Sequence, residues 1–159
     1  MKIEAIEKQL GFALTEQPDL VELMKHRCQN TFARDTDGNV IGLNLRTNNL
    51  NDDKIAFLQE LPHLQALNLS ENNLSRVVFP KEIKALKYLN LSENESLQEV
   101  SFPTEGLPEL EKLDLSECNL TALRIPRLAR LQILYAQKNQ LTTVDFDSYC
   151  PALTFLDLS

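Results

Sequence analysis

Val40-Ile-Gly-Leu43-Asn-Leu45-Arg-Thr-Asn48-Asn-Leu50 and Leu64-Gln-Ala-Leu67-Asn-Leu69-Ser-Glu-Asn72-Asn-Leu74 superimpose as L-x-x-L-x-L-x-x-N-x-L, with Val replacing the first Leu in one of them. The pattern recurs at Leu86, Leu89, Leu91, Asn94 and Leu97, with one extra residue after the Asn, and at Leu110, Leu113, Leu115, Cys118 and Leu120. A fifth copy runs through Leu131, Leu134, Ala136, Asn139 and Leu141, and a sixth begins at Leu153, Leu156 and Leu158. Between equivalent leucines, from Leu43 to Leu156, the spacings are 24, 22, 24, 21 and 22 residues. The x-L-x-L-x alternation puts the leucines on one side of a short strand and the intervening residues on the other. One such unit cannot bury its leucines alone, so successive units must stack, their strands pairing in parallel about 4.8 Å apart.

This pattern resembles the leucine-rich repeat family over residues 40–159, about three quarters of the chain. The expected fold is an α/β repeat solenoid: a horseshoe with a parallel concave sheet, short extended or irregular convex limbs, and an N-terminal cap of helices and a β-hairpin. Five repeats are full and the sixth stops inside a strand at Ser159, so the chain reads as a fragment or first module of a longer protein. The residue at the Asn position must turn the chain inward, and its amide can bond backbone groups of adjacent turns. Asn48, Asn72, Asn94 and Asn139 therefore form a structural ladder, joined by Cys118, since the family also accepts Cys there. A reactive thiol needs an exposed, electropositive setting that this column does not offer.

The return limbs repeat L-x-x-V-x-F, as in Leu74, Val77, Phe79 and Leu97, Val100, Phe102, and are punctuated by Pro80, Pro103 and Pro126. Short extended segments are expected there. The first limb differs, Asp52 to Leu61 having helical spacing with acids at its start. Before the repeats, residues 1–39 form the capping region. Ile3, Ile6 and Leu10 suit one helix. Leu20, Leu23, Met24 and Cys28 suit a second, opened by Pro18, Asp19 and Glu22 and closed by Lys25, His26 and Arg27. Residues 31–35 and 40–43 read as a hairpin around Thr36-Asp37-Gly38-Asn39.

Composition narrows the function classes. Of the 159 residues, 16 are Lys or Arg and 23 are Asp or Glu, a net charge of −7 spread along the chain, which disfavours an electrostatic nucleic-acid binder. No apolar run reaches the length of a membrane span, and the first ten residues, MKIEAIEKQL, lack a signal peptide's apolar segment. Three widely spaced cysteines write no disulfide framework, so a cytoplasmic location is expected. The short, nearly glycine-free repeats without cysteine-rich caps point to a bacterial, intracellular type.

The chemical inventory is thin. His26 and His63 lie in different elements without metal-ligand spacing, and neither phosphate-loop motif occurs. Residues 35–39 miss the calcium-loop pattern, because the Gly is fourth instead of sixth. Five N-x-[ST] matches, at Asn68, Asn73, Asn90, Asn94 and Asn119, arise chiefly because the repeat reads N-L-S. No catalytic, cofactor or metal site is expected.

What remains is the concave face. Its first column reads Gly42, Ala66, Tyr88, Lys112, Ile133 and Phe155; its second reads Asn44, Asn68, Asn90, Asp114, Tyr135 and Asp157. Arg46, Ser70, Ser92, Ser116, Gln137 and Ser159 follow, edged by Glu71, Glu93, Glu117 and Lys138. The Asn column serves the sheet itself. From Tyr88 onward the fold requires no outward aromatics, so Tyr88, Lys112, Asp114, Ile133, Tyr135, Phe155 and Asp157 are the expected partner-binding residues. The resemblance implies a non-enzymatic module that binds another protein. An alternative makes it the recognition or regulatory arm of a larger enzyme, such as a GTPase, kinase or ubiquitin ligase, continuing beyond residue 159. A third makes it a structural or assembly protein, self-associating weakly through its open C-terminal edge.

Overall fold

The computed structural model describes residues 1–80, 83–147 and 150–159. Before the repeats lie α1 (Ile3–Leu10), β1 (Thr15–Glu16), α2 (Leu20–Leu23) and β2 (Thr31–Arg34). The repeats then supply β3 (Val40–Asn44), β4 (Ala66–Asn68), β5 (Arg76–Val78), β6 (Tyr88–Asn90), β7 (Glu99–Ser101) and β8 (Lys112–Asp114). They continue through β9 (Ala122–Ile125), β10 (Ile133–Tyr135), β11 (Thr143–Phe146) and β12 (Phe155–Asp157). The main sheet has the order β1-β2-β3-β4-β6-β8-β10-β12, parallel from β3 onward. Its register aligns Leu43, Leu67, Leu89, Leu113, Leu134 and Leu156 in one row, as the repeat alignment requires.

The convex limbs are short strands, β5 paired with β7 and β9 with β11, as the L-x-x-V-x-F alternation predicts. Phe79 and Phe102 stack with ring centroids 5.9 Å apart. The first limb, Asp52–Glu60, is a 3-10 helix, capped by the Asn51 side chain accepting from Lys54 N. One continuous apolar cluster runs from Ile6 through every repeat to Ala136. At the far end, Leu156 is 43% and Leu158 41% exposed, whereas their equivalents in the first four repeats are all but fully buried.

Each turn is stitched to the next in the same way. Thr47, Glu71, Glu93, Glu117 and Lys138 all adopt left-handed backbone, with φ between 53° and 58°. That conformation costs a non-glycine residue about 1 kcal/mol. It also lets each of their N–H groups donate to the next turn's carbonyl, for example Glu71 N to Ser92 O at 2.9 Å and Glu93 N to Ser116 O at 2.9 Å. Inside this seam runs the Asn ladder. The Asn72 amide donates to Leu45 O, Leu69 O and Ser70 O, and its oxygen accepts from Asn48 N and Leu50 N.

Cys118 occupies the fourth rung for a reason specific to its neighbour. The extra residue in the third repeat lets Leu97 N bond locally to Asn94 O at 2.9 Å, so no side-chain acceptor is needed there. Cys118 Sγ donates at 3.4 Å to Leu91 O and Ser116 O and accepts from the Asn94 backbone N–H. Burial, the largest effect, pushes its thiol up to about 11. The unfolded chain therefore loses this proton near pH 9 while the folded chain keeps it. The resulting contribution is intact below pH 9 and is lost as the pH rises through 11. Wild type is expected to lose about 2 kcal/mol over that interval relative to Cys118→Ser, read from urea midpoints at each pH.

The N-terminal region departs from expectation in two places. The second helix ends after one turn at Leu23, and His26–Cys28 is a separate 3-10 turn, because Lys25 between them is extended. The carbonyls that a longer helix would use internally are taken by the buried Asn44 amide, which lies 2.7 Å from Leu23 O and 3.1 Å from Lys25 O. The strand β1 was not anticipated; it pairs in parallel with β2, outside the antiparallel β2–β3 hairpin. The hairpin turn is closed by Asp35, whose carboxylate accepts from Asp37 N, Asn39 N and the Asn39 amide. Among the described residues, no helix is long and apolar enough to cross a membrane.

Candidate functional site

The concave face divides into a covered part and an open part, and α2 draws the line. Asp19 starts this helix by accepting from Val21 N and Glu22 N, both at 2.9 Å. Leu20 and Leu23 then lie directly on β3, where a Cβ at position 42 would come within 2.7 Å of Leu20 Cδ2 and 3.1 Å of Leu23 Cδ1. Glycine at 42 is thus a close-approach residue. Leu23, Ala33 and Ala66 form a small apolar cluster edged by Leu20, Met24, Ile41 and Tyr88. Asn44 and Asn68, beneath this cover, are completely buried. The small side chains that open the first column are small because α2 packs on them, a role the column pattern alone did not reveal.

Beyond α2 the face is open from β6 to β12. A groove separates α2 from the sheet, walled by Val21, Met24 and Lys25 on one side and by Tyr88, Asn90 and Lys112 on the other. Val21, on α2's free side, is 64% exposed. Burial first, and then the Glu111 carboxylate beside it, hold the Tyr88 phenol above its usual range.

The register brings most of the expected binding residues together. Lys112, Ile133 and Phe155 form one row across β8, β10 and β12, and Asp114, Tyr135 and Asp157 form the next. The Tyr135 ring lies between the two ends of the first row. Its centroid is 5.1 Å from that of Phe155, tilted by 49°, and 5.3 Å from Lys112 Nζ. Phe155 remains 45% exposed. Tyr88, beside Lys112 at the start of the same row, faces the groove under α2.

The carboxylates along the open strip differ in their partners. Glu71 pairs with Arg46 and Glu117 with Lys138, while Glu22, beside α2, pairs with Lys25 and Arg27. Asp114 and Asp157 carry no ion pair among the described residues. Asp114 Oδ1 accepts from Ser116 N at 3.1 Å and Ser116 Oγ at 2.6 Å; Asp157 Oδ1 accepts from Ser159 N at 3.0 Å. These Ser159 bonds, backbone then side chain, hold Asp157 below the ordinary carboxylate range. Among the described residues, no group of three or more His, Cys, Asp or Glu side chains is arranged to hold a metal ion.

Two segments of the chain, residues 63–84 and 109–131, match the family model of the Leucine Rich Repeat. A curated relative, a Roc-COR-CHAT protease from an unknown prokaryotic organism, is 35% identical over 162 aligned residues. The alignment takes in 99% of this chain, which spans 15% of the relative's length.

Proposed function

This chain is a leucine-rich repeat protein, and from that premise we propose that its open concave strip, from Tyr88 to Asp157, binds another protein, with no chemistry of its own. The observation that carries this reading is the apolar and aromatic group at Ile133, Tyr135 and Phe155. It sits on the face that the repeats do not use for their core and that α2 leaves uncovered. Exposed aromatics beside charged groups are the side chains from which interface hot spots are built. On this reading residues 1–39 act as a cap, and α2 sets the near boundary of the surface.

A second reading makes the chain the recognition arm of a larger enzyme. It is favoured by the relative, in which a segment 35% identical to nearly the whole of this chain forms a small part of a long protein named as a protease. The two readings share one binding surface and differ in what the bound partner serves.

A photo-crosslinking phenylalanine analogue placed at Lys112 or Phe155, and on the convex side at Val78 or Arg124, tests the surface in cells that make the protein. Adducts to one discrete protein are expected from the two concave positions and not from the convex pair. Equal labelling from both sides would refute the assignment.

A further inference from the structure

We propose that the row Asp114, Tyr135 and Asp157 receives a cationic side chain, arginine above all, from an extended segment of a partner protein. The inference rests on reading the open strip as a recognition surface and adds the chemistry of what it recognises.

The fold itself supplies an internal control for these two charges. At the same position of the earlier repeats stand Asn44, Asn68 and Asn90, and each does what Asp114 and Asp157 do for the backbone. Asn68 Oδ1 accepts from Ser70 N at 3.0 Å, Asn90 Oδ1 from Ser92 N at 2.8 Å, and Asn44 Oδ1 from Arg46 N at 3.3 Å. A neutral amide therefore satisfies the repeat, and the negative charge at 114 and 157 is surplus to it. Beneath α2 a carboxylate would be buried at high cost, so the amide is required there. On the open part the charge enters at β8, one strand past Asn90, and flanks an aromatic ring in register on adjacent strands.

The two carboxylates lie two strand spacings apart, about 10 Å, with Tyr135 between them. Each has Oδ1 held by the serine two residues on, which fixes the orientation of the carboxylate, and neither is neutralised by an ion pair among the described residues. Lys112, on the same strand as Asp114, turns its ammonium to the Tyr135 ring, so this ring already accepts a cation. A guanidinium laid on an aromatic face between carboxylates gains ion pairing and cation–π attraction together, and its planar fork suits carboxylate oxygens better than an ammonium does. The chain's net charge of −7 draws such a segment in.

Two probes separate the charge preference from the surface: acetyl-Leu-Ser-Arg-Ser-Leu-amide and its counterpart with Glu in place of Arg. Each is titrated into the 159-residue chain at low salt and followed by amide and aromatic-ring NMR shifts. The arginine peptide is expected to shift Tyr135, Asp114 and Asp157 and to bind about fivefold or more tighter than the glutamate peptide. The preference should vanish in Asp114→Asn with Asp157→Asn, a variant expected to unfold like wild type because Asn already serves at 44, 68 and 90. Equal affinity for the two peptides, a preference that survives the double substitution, or no response to the arginine peptide overturns the proposal. If both peptides bind equally and Tyr135→Ser abolishes both, the recognition surface stands without its cation preference. If they bind with shifts wholly outside the strip, the surface reading falls as well.

Discussion

Asn94→Ala is expected to lower folding stability by about 3–5 kcal/mol, among the largest effects available to a single polar substitution in this chain. The side chain is fully buried between the second, third and fourth turns. Its Nδ2 lies 3.0 Å from Leu69 O, 2.8 Å from Leu91 O and 3.4 Å from Ser92 O, and its Oδ1 accepts from Leu74 N at 3.1 Å. Alanine leaves a buried N–H and carbonyls from two turns without those bonds, in a place that water cannot enter without opening the stack. Each stranded group costs about 1–3 kcal/mol. Urea unfolding followed by circular dichroism measures the loss. Asn73→Ala, which removes only an exposed bond to Asn49, should stay within about 0.5 kcal/mol of wild type. Equal effects at the two positions would contradict the ladder.

Leu113→Ala is expected to cost about 2–5 kcal/mol by leaving a cavity. Leu113 is fully buried at the centre of the solenoid, with Leu89 and Leu134 beside it in register. Rigid strands on both sides limit collapse around the missing atoms. Leu156 occupies the same row but is 43% exposed, and Leu156→Ala should cost about 1 kcal/mol or less. Against a net stability of about 5–15 kcal/mol for a domain of this size, the contrast is readily measured. A silent Leu113→Ala would refute the register.

The repeat made the inner face readable because each leucine column serves one purpose in every turn. Strand direction, row alignment and the Asn ladder all follow from L-x-x-L-x-L-x-x-N-x-L. The convex strands were equally legible, since Val77, Phe79, Val100 and Phe102 alternate as half-buried strands do. Legibility failed where a residue answers to something outside its own repeat. Gly42 and Ala66 looked like small residues on an open face. Their size instead reports α2, packed across them from the region before the repeats. The charge pattern of the second helix is helical to Arg27, but the competing hydrogen bonds that end it at Leu23 come from Asn44 in a distant strand. Cys118 stands in the column of the ladder asparagines, but its tolerance there depends on the extra residue after Asn94, which satisfies Leu97 N locally. For the candidate site, the sequence supplied the outward aromatics. It did not supply the groove beside Tyr88, because Val21 and Met24 reach it from the segment around α2, outside the repeats.

On the proposed reading, the concave strip beyond α2 is a protein-recognition surface. Its most direct test is the affinity of the protein captured by crosslinking at Lys112 or Phe155 for wild type and for Tyr135→Ser with Phe155→Ser, measured calorimetrically alongside the unfolding transition. Binding should weaken by about tenfold or more, the loss of two aromatic anchors, while the transition moves by no more than about 1 kcal/mol. Unchanged affinity in a folded double variant would contradict the claim.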